Sequence, residues 1–411
     1  MNVSRRAVSD AKKPKGRFVR KIWRTVMPNS MRRAAGFLLR PAALEFTLRT
    51  SIAHRNRPGD GPPALVGFFS GASGIARSVQ LASHALTELG VEHRCIDVRD
   101  LSAPTVPDTT HASAWIFYLN PPELTWLLYH WGSRRFFGPR YAYWAWELPS
   151  VPNFWLRAAA MLNAVMVPSR YTAEAMSASP TPVVITPHPM RLADCATVRR
   201  NDIRRPEDPF RVVSLFDFKS SVARKNPFGA LEAFQRAFGD DARRRLVFKT
   251  HNGHETPELL RAIQMRSGPN VEIIDAVWDY PKVLNFITDA DALISLHRAE
   301  GFGLTLAESM MVGTPIVATG WSGNIDFMDE RNACLVPSVS TPVIDGQRIY
   351  RNQDWAEPDI GAAATALRHL CENPIAAHSM SERARNDIAR RFSPEAWRTT
   401  LPTELQLLLF N

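Results

Sequence analysis

Residues 293–328 read LISLHRAEGFGLTLAESMMVGTPIVATGWSGNIDFM, and the order of apolar and glycine-rich pieces in this stretch decides the fold. The apolar run ending in His297 predicts a strand, EGFG a turn, and the apolar-periodic segment 304–312 a helix. After Gly313 a second apolar run, 315–318, predicts another strand, followed by the small-residue turn TGWSGN. Strand, turn, helix, strand, turn is the order that builds a parallel sheet, since parallel neighbours need a crossover connection.

A turn carrying Gly301 and Gly303 and opening into a helix presents unsatisfied backbone N–H groups and a positive dipole end, a candidate anion site. Two acids flank it, Glu300 before the turn and Glu308 within the helix. Eight helical residues would set their backbones roughly 12 Å apart and about 80° out of phase. Such a spacing suits two carboxylates that accept hydroxyls at the ends of an elongated ligand with an anionic middle, the shape of a nucleotide-sugar. The same acids would also serve as ordinary helix-capping groups, and spacing alone leaves both readings open.

The chain has 411 residues, 45% hydrophobic and 22% charged, enough for two or three ordinary domains of a soluble protein. Its apolar runs fall short of a membrane-spanning helix. Cys95, Cys195, Cys334 and Cys371 are scattered with no CxxC pair, which argues against a zinc site or disulfide framework and for a cytoplasmic setting. The net charge of +10 is uneven: residues 1–62 hold fifteen Lys/Arg against three acids, a net of +12, so the remainder is about −2. With Trp23 and Phe18 among the basic residues, this extension is a candidate for peripheral contact with an anionic membrane face; a flexible tail is the plain alternative. No nucleic-acid-binding module accompanies the charge, so nucleic acid is not an expected partner.

EGFGLTLAESMMVGTPIVATGWSGN, with Glu300 and Glu308 separated by seven residues, resembles the signature of retaining glycosyltransferases of the GT-B fold, especially glycosyltransferase family 4 and its bacterial group 1 members. The likeness continues through WAEPD, 355–359, and AYWAWELPSVPNFW is similar to bacterial members as well. The resemblance implies an α/β chain of two Rossmann-like, doubly wound parallel-sheet domains facing a cleft. It implies a nucleotide-diphosphate-sugar donor, a saccharide or lipid-linked saccharide acceptor, and a role in bacterial surface polysaccharide or glycolipid synthesis. Glu300 would orient the sugar and Glu308 hold the ribose, with Gly301, Phe302, Gly303, Leu304 and Thr305 around the phosphates.

The rest of the chain is read within that frame. Residues 1–62 form the basic extension, 63–196 an N-terminal domain, 197–209 a charged, proline-rich linker, 210–392 a C-terminal domain, and 393–411 a segment returning to the first domain. A strand at 64–70 meets the glycine-rich turn GASGIARS, which makes Gly71, Gly74 and Arg77 donor-site candidates; an ordinary strand-to-helix connection is the alternative. Asn120, Trp146 and Glu147 follow strands ending near 119 and 146 and are candidate sugar or acceptor contacts. Family relatives often carry a sugar-contacting histidine near the second of these positions, and this chain has Trp146 and Glu147 there. In DFKSSVARKNP, 217–227, Asp217 directly follows a strand and is a further donor-site candidate, and Arg224 and Lys225 supply fixed positive charge to a diphosphate, as the resemblance implies. Asp289 and Asp291 read as turn or capping residues, and His188, His251, His254 and His297 lack metal-ligand spacing, so neither metal nor cofactor is expected. WAEPD is expected to open a helix running to about 371. Two further classes share the donor pocket: a non-catalytic nucleotide-sugar-binding subunit and a GT-B sugar-nucleotide epimerase.

Overall fold

The computed structural model describes residues 45–47, 49–51, 58–71, 73–98, 112–191 and 203–410. Most of the basic extension, the first part of the linker, and Cys195 lie outside the described residues.

The first lobe is a six-stranded sheet of β1 (Ala64–Gly67), β2 (Arg94–Asp97), β3 (Trp115–Tyr118), β4 (Arg140–Tyr143), β5 (Ala164–Val167) and β6 (Val183–Ile185). Their order is β2-β1-β3-β4-β5-β6, every pairing parallel. Strands β1, β3, β4 and β5 are buried along their whole length, and all but β4, which opens on the buried Arg140, read as continuous apolar runs rather than alternating ones. Helices α1 (Gly74–Glu88), α2 (Pro121–Trp131), α3 (Asn153–Ala159) and α4 (Arg170–Ala175) follow β1, β3, β4 and β5.

The second lobe repeats the scheme with β7 (Phe210–Asp217), β8 (Arg244–His251), β9 (Val271–Asp275), β10 (Ala292–Ser295), β11 (Ile316–Thr319) and β12 (Cys334–Val336), ordered β12-β11-β10-β7-β8-β9 and again parallel. Its helices are α5 (Val222–Lys225), α6 (Pro227–Phe238), α7 (Pro257–Arg266), α8 (Tyr280–Thr288) and α9 (Leu304–Val312), then α10 (Ile360–Glu372) and α11 (Pro374–Arg391). The chain winds outward from β7 to β9, then returns to β10 beside β7, so the topological switch point lies between β7 and β10. Ligands of open α/β sheets bind outside the carboxyl ends of strands at such a point.

One expectation is corrected. WAEPD does not open a helix: residues Asp354–Pro358 form β14, paired antiparallel with β13 (Ser338–Pro342). The helix signal was displaced rather than false, because Asp359 caps α10 by accepting from Ala362 N at 3.0 Å. Its strand partner lies in a segment whose local sequence marks it weakly. The last helices, α12 (Pro394–Arg398) and α13 (Thr403–Phe410), set Trp397, Leu401, Leu405 and Leu409 into one core with Leu65, Val79, Ile116 and Tyr141 of the first lobe. No helix among the described residues is long and apolar enough to cross a membrane.

Candidate active site

The EGFG turn follows β10 at the switch point and is held by backbone and buried polar groups. His297 is fully buried, with Nδ1 3.1 Å from Ser295 Oγ and Nε2 3.0 Å from Asn324 Oδ1. Burial holds its pKa below the usual imidazole value, so it is a neutral strut. Glu300 N donates to Ser322 Oγ at 2.8 Å, and Gly323 N donates to Glu300 O at 2.9 Å. Gly303 stands in the left-handed region at φ 91° and starts α9 without a side-chain cap. The N–H groups of Leu304 and Thr305, both half-buried, are therefore the ones an anion at this end of the helix would meet.

The left-handed residue also ends the helical phase. Only Glu308 lies on α9, so the spacing of 12 Å and 80° drawn for a continuous helix does not describe this pair. Glu300 turns instead toward α5. Ser221 caps α5 by accepting from Arg224 N at 3.1 Å, and Asn226, left-handed at φ 51°, ends it, which fixes the direction of both basic side chains. Arg224 is 2% exposed; its Nη1 donates to Ala299 O at 2.7 Å and lies 3.1 Å from Glu300 Oε1. Lys225 Nζ reaches the same oxygen at 2.5 Å. Burial alone would raise the Glu300 pKa, but the charges of Lys225 and Arg224 outweigh it and hold it down to about 2. From the first lobe, Glu147 brings Oε1 to 3.9 Å from Arg224 Nη2. Two carboxylates and two cations thus share one cluster across the lobe junction, Arg224 and Glu300 buried, Glu147 and Lys225 half-buried.

Other candidates fall elsewhere. Arg77, on α1, lies 3.9 Å from Glu308 and stacks its guanidinium over the Tyr280 ring, 3.2 Å from the centroid. Burial pushes Glu308 up to about 7, against the pull of Arg77 and Tyr280. Phe302 is buried in an aromatic cluster with His188, Phe327 and Phe392, so it packs the turn. Gly301 is a junction residue: its carbonyl accepts from Ser169 Oγ at 2.6 Å, and a Cβ on it would lie 2.7 Å from Trp146 O. A Cβ on Gly71 would touch Ala76 at 3.0 Å, whereas Gly74, the first residue of α1, has open space beside it. Asn120 Oδ1 accepts from Ala145 N at 3.1 Å and so ties the end of β3 to the segment after β4. Asp217 is occupied by His251 at 3.1 Å and Asn252 at 2.8 Å and holds the loop after β8 rather than joining the Glu300 cluster. Trp146 packs against Trp155 and Tyr350.

Sequence reasoning missed Tyr350, whose hydroxyl donates to Glu147 at 2.8 Å, and Tyr280 beneath Arg77. Ser169 caps α4, its Oγ accepting from Thr172 N at 3.2 Å, and the same hydroxyl bridges the lobes by donating to Gly301 O. Asp289 and Asp291 lie before β10, at the end remote from the cluster; Asp291 accepts from Arg211 N at 2.7 Å. Among the described residues no group of three or more His, Cys, Asp and Glu is arranged to hold a metal ion.

Two facing doubly wound lobes with a charged site at the second lobe's switch point define the GT-B class. Residues 199–387 match the family model described as Glycosyl transferases group 1. Solved structures of like architecture include TarM of S. aureus, 13% identical with a TM-score of 0.54 over 81% of this chain and 59% of that one. HepE of Anabaena, in complex with UDP and glucose, is 12% identical with a TM-score of 0.60 over 84% of this chain and 100% of that one. The sucrose-phosphate synthase of Thermosynechococcus elongatus is 16% identical with a TM-score of 0.60, over 82% and 96%. At these identities the likeness speaks for the fold, and the chain spans about three fifths of the length of TarM. No curated protein matches the chain in sequence.

Proposed function

We propose that the chain moves a sugar from a nucleotide-diphosphate-sugar to an acceptor hydroxyl with retention of configuration, without metal or cofactor. The observation that carries this is the Arg224–Lys225–Glu300 cluster at the switch point, next to the uncapped start of α9. Charge grows on the diphosphate as the glycosidic bond breaks, and preorganised donors aimed at it lower the barrier. Arg224, Lys225 and the N–H groups of Leu304 and Thr305 are suited to that task. Glu300, kept ionised by its cations, accepts sugar hydroxyls and orients the anomeric carbon. Glu308 accepts the ribose hydroxyls. Retention follows from attack on the face the diphosphate leaves, the departing phosphate taking the acceptor's proton. That HepE was solved with UDP and glucose agrees with a UDP-sugar as donor. A saccharide or lipid-linked saccharide is the acceptor we favour, used in surface polysaccharide or glycolipid synthesis at the cytoplasmic face of a membrane, where the basic extension adds contact with anionic lipid.

Glu308→Gln tests the donor site. Loss of hydrogen bonds from a charged acceptor is worth about 1.5–3 kcal/mol, so the donor Michaelis constant should rise about 10- to 100-fold. The wild-type constant should fall between pH 6 and 8 as Glu308 ionises around 7, and that of the variant should stay flat. Stability runs the opposite way. An acid whose folded pKa is raised from 4.5 to about 7 contributes most below 4.5 and loses that contribution as pH rises through 7. The loss is on the order of 3 kcal/mol, and Glu308→Gln should abolish it, as melting curves at pH 5 and 8 will read. An unchanged donor constant in the variant removes the ribose role. Turnover should also persist in excess chelator; loss that magnesium restores rejects the metal-free mechanism.

A further inference from the structure

We infer that Tyr350 is a positioning residue for Glu147: a loop of the second lobe carries its phenol across the lobe junction and fixes the carboxylate that faces the transferring sugar. The inference rests on the sugar-transfer reading above.

The geometry is built from both sides. Glu147 leaves β4 at the carboxyl edge of the first sheet, yet its oxygens are held from the second lobe, Oε2 by Tyr350 Oη at 2.8 Å and Oε1 by Arg224 Nη2 at 3.9 Å. Tyr350 lies in the connection between β13 and β14, and that connection is pinned throughout. Its base is closed by Val343 N donating to Gln353 O at 2.8 Å. Asp345 accepts from the backbone N–H groups of Gln347, Ile349 and Tyr350 at 2.9–3.2 Å. The Gln347 amide accepts from Val222 N at 2.6 Å and donates to Phe218 O at 2.8 Å, tying the loop to the segment that carries Arg224. Gln353 exchanges three hydrogen bonds with Ser150, three residues beyond Glu147, at 2.8–3.0 Å. The phenol ring is 7% exposed, packed with Leu148, Ala299 and Trp355 and edge-on to Trp146, 5.9 Å between centroids.

These anchors leave the hydroxyl one orientation, toward Glu147. Burial, reinforced by the negative field of Glu147, keeps the phenol protonated and therefore a donor. A carboxylate offers about four lone-pair sites, so Glu147 retains acceptor capacity for a sugar hydroxyl after binding Tyr350 and facing Arg224. Because both partners belong to the second lobe, Glu147 is in register only when the lobes are engaged. Tyr350 thereby links assembly of the sugar-facing wall to closure of the junction. Its packing is carried by the ring and its positioning by the hydroxyl, which lets the two be separated.

Tyr350→Phe keeps the ring and deletes the hydroxyl. With the donor that the wild-type chain uses best from a panel of UDP- and GDP-hexoses, kcat should fall about 10- to 100-fold, the cost of a misplaced reacting group. The donor Michaelis constant and the affinity for the corresponding free nucleotide diphosphate should stay within about twofold, because the groups assigned to the diphosphate are untouched. Glu147→Gln should lower kcat comparably, and the double variant should be no slower than the slower single variant, since both changes remove one interaction. Wild-type kcat in Tyr350→Phe, additive losses in the double variant, or nucleotide affinity falling in step with kcat would each overturn the inference. Failure of the underlying reading looks different: the wild-type chain would move sugar from none of the donors, and the inference falls with it.

Discussion

Arg224→Met is expected to abolish transfer, by about 1,000-fold or more, and to cost the fold about 3–5 kcal/mol. Arg224 is buried between two carboxylates and a carbonyl, and methionine fills most of its volume without its charge or donors. Removing one member of a buried ion cluster leaves the others uncompensated, which costs more than the cluster contributes. Lys225, 23% exposed at its side chain, would remain as the sole cation on Glu300. A pH series identifies the cause. In the wild type Glu300 titrates at about 2 instead of 4.5, so its contribution is present above pH 4.5 and is lost as pH falls toward 2, on the order of 3 kcal/mol. In Arg224→Met the Glu300 pKa rises, and acid unfolding begins at higher pH with a shallower dependence. Arg224→Lys should recover part of the stability, because charge returns, but little of the turnover, because the forked donor geometry does not. Unimpaired transfer by Arg224→Met, measured well below its melting temperature, rejects the diphosphate role outright.

Much of this arrangement could be read from residue order because parallel strands buried on both faces leave an unmistakable trace. The runs at 64–66, 164–167 and 316–318 are apolar at every position, and the helix at 304–312 is bounded by glycines in left-handed conformations at both ends. The basic pair after β7 and the acids around EGFG were visible for the same reason: local sequence places them at strand ends. What could not be read is which groups meet. Glu147 and Tyr350 are 203 residues apart, and Ser169 and Gly301 132 apart. Nothing local to Tyr350 distinguishes it from any tyrosine in a polar loop, and β14 exists only because β13 pairs with it. Glu300 was assigned to sugar hydroxyls and Arg224 and Lys225 to phosphate, whereas in the folded chain the three are partners first. The donor proposed above would therefore share these charges with Glu300 rather than find them free. Gly301 shows the same limit from the other direction. Glycine there was read as an approach for phosphate, while the folded chain uses its missing side chain to admit the backbone of the other lobe.

That distinction gives the last prediction, a pair of alanine substitutions with opposite signatures. A Cβ at Gly301 would stand 2.7 Å from Trp146 O, a backbone atom of the first lobe. Ordinary carbon–oxygen contacts are about 3.3 Å or longer, so Gly301→Ala must drive the lobes apart by roughly half an ångström or more. Arg224, Lys225 and the start of α9 all belong to the second lobe and stay in register, so nucleotide diphosphate should bind within a few-fold of wild type. Transfer needs both walls, and a displacement of this size should lower kcat by about 100-fold. At Gly323 the same methyl would lie 2.1 Å from Gly301 O and 2.9 Å from Glu300 O, inside the turn itself. Gly323→Ala must therefore break the Gly323 N to Glu300 O bond and shift Glu300, at a cost of about 1–3 kcal/mol for overpacking. Nucleotide affinity and kcat should then fall together. Calorimetric titration with UDP and GDP beside steady-state kinetics separates the two. If Gly301→Ala loses nucleotide binding as fully as Gly323→Ala, the turn acts on phosphate directly and the lobe junction does not set the transfer geometry. If it keeps binding and loses turnover, the second lobe holds the donor by itself, and catalysis waits on the contact that only a glycine at 301 permits.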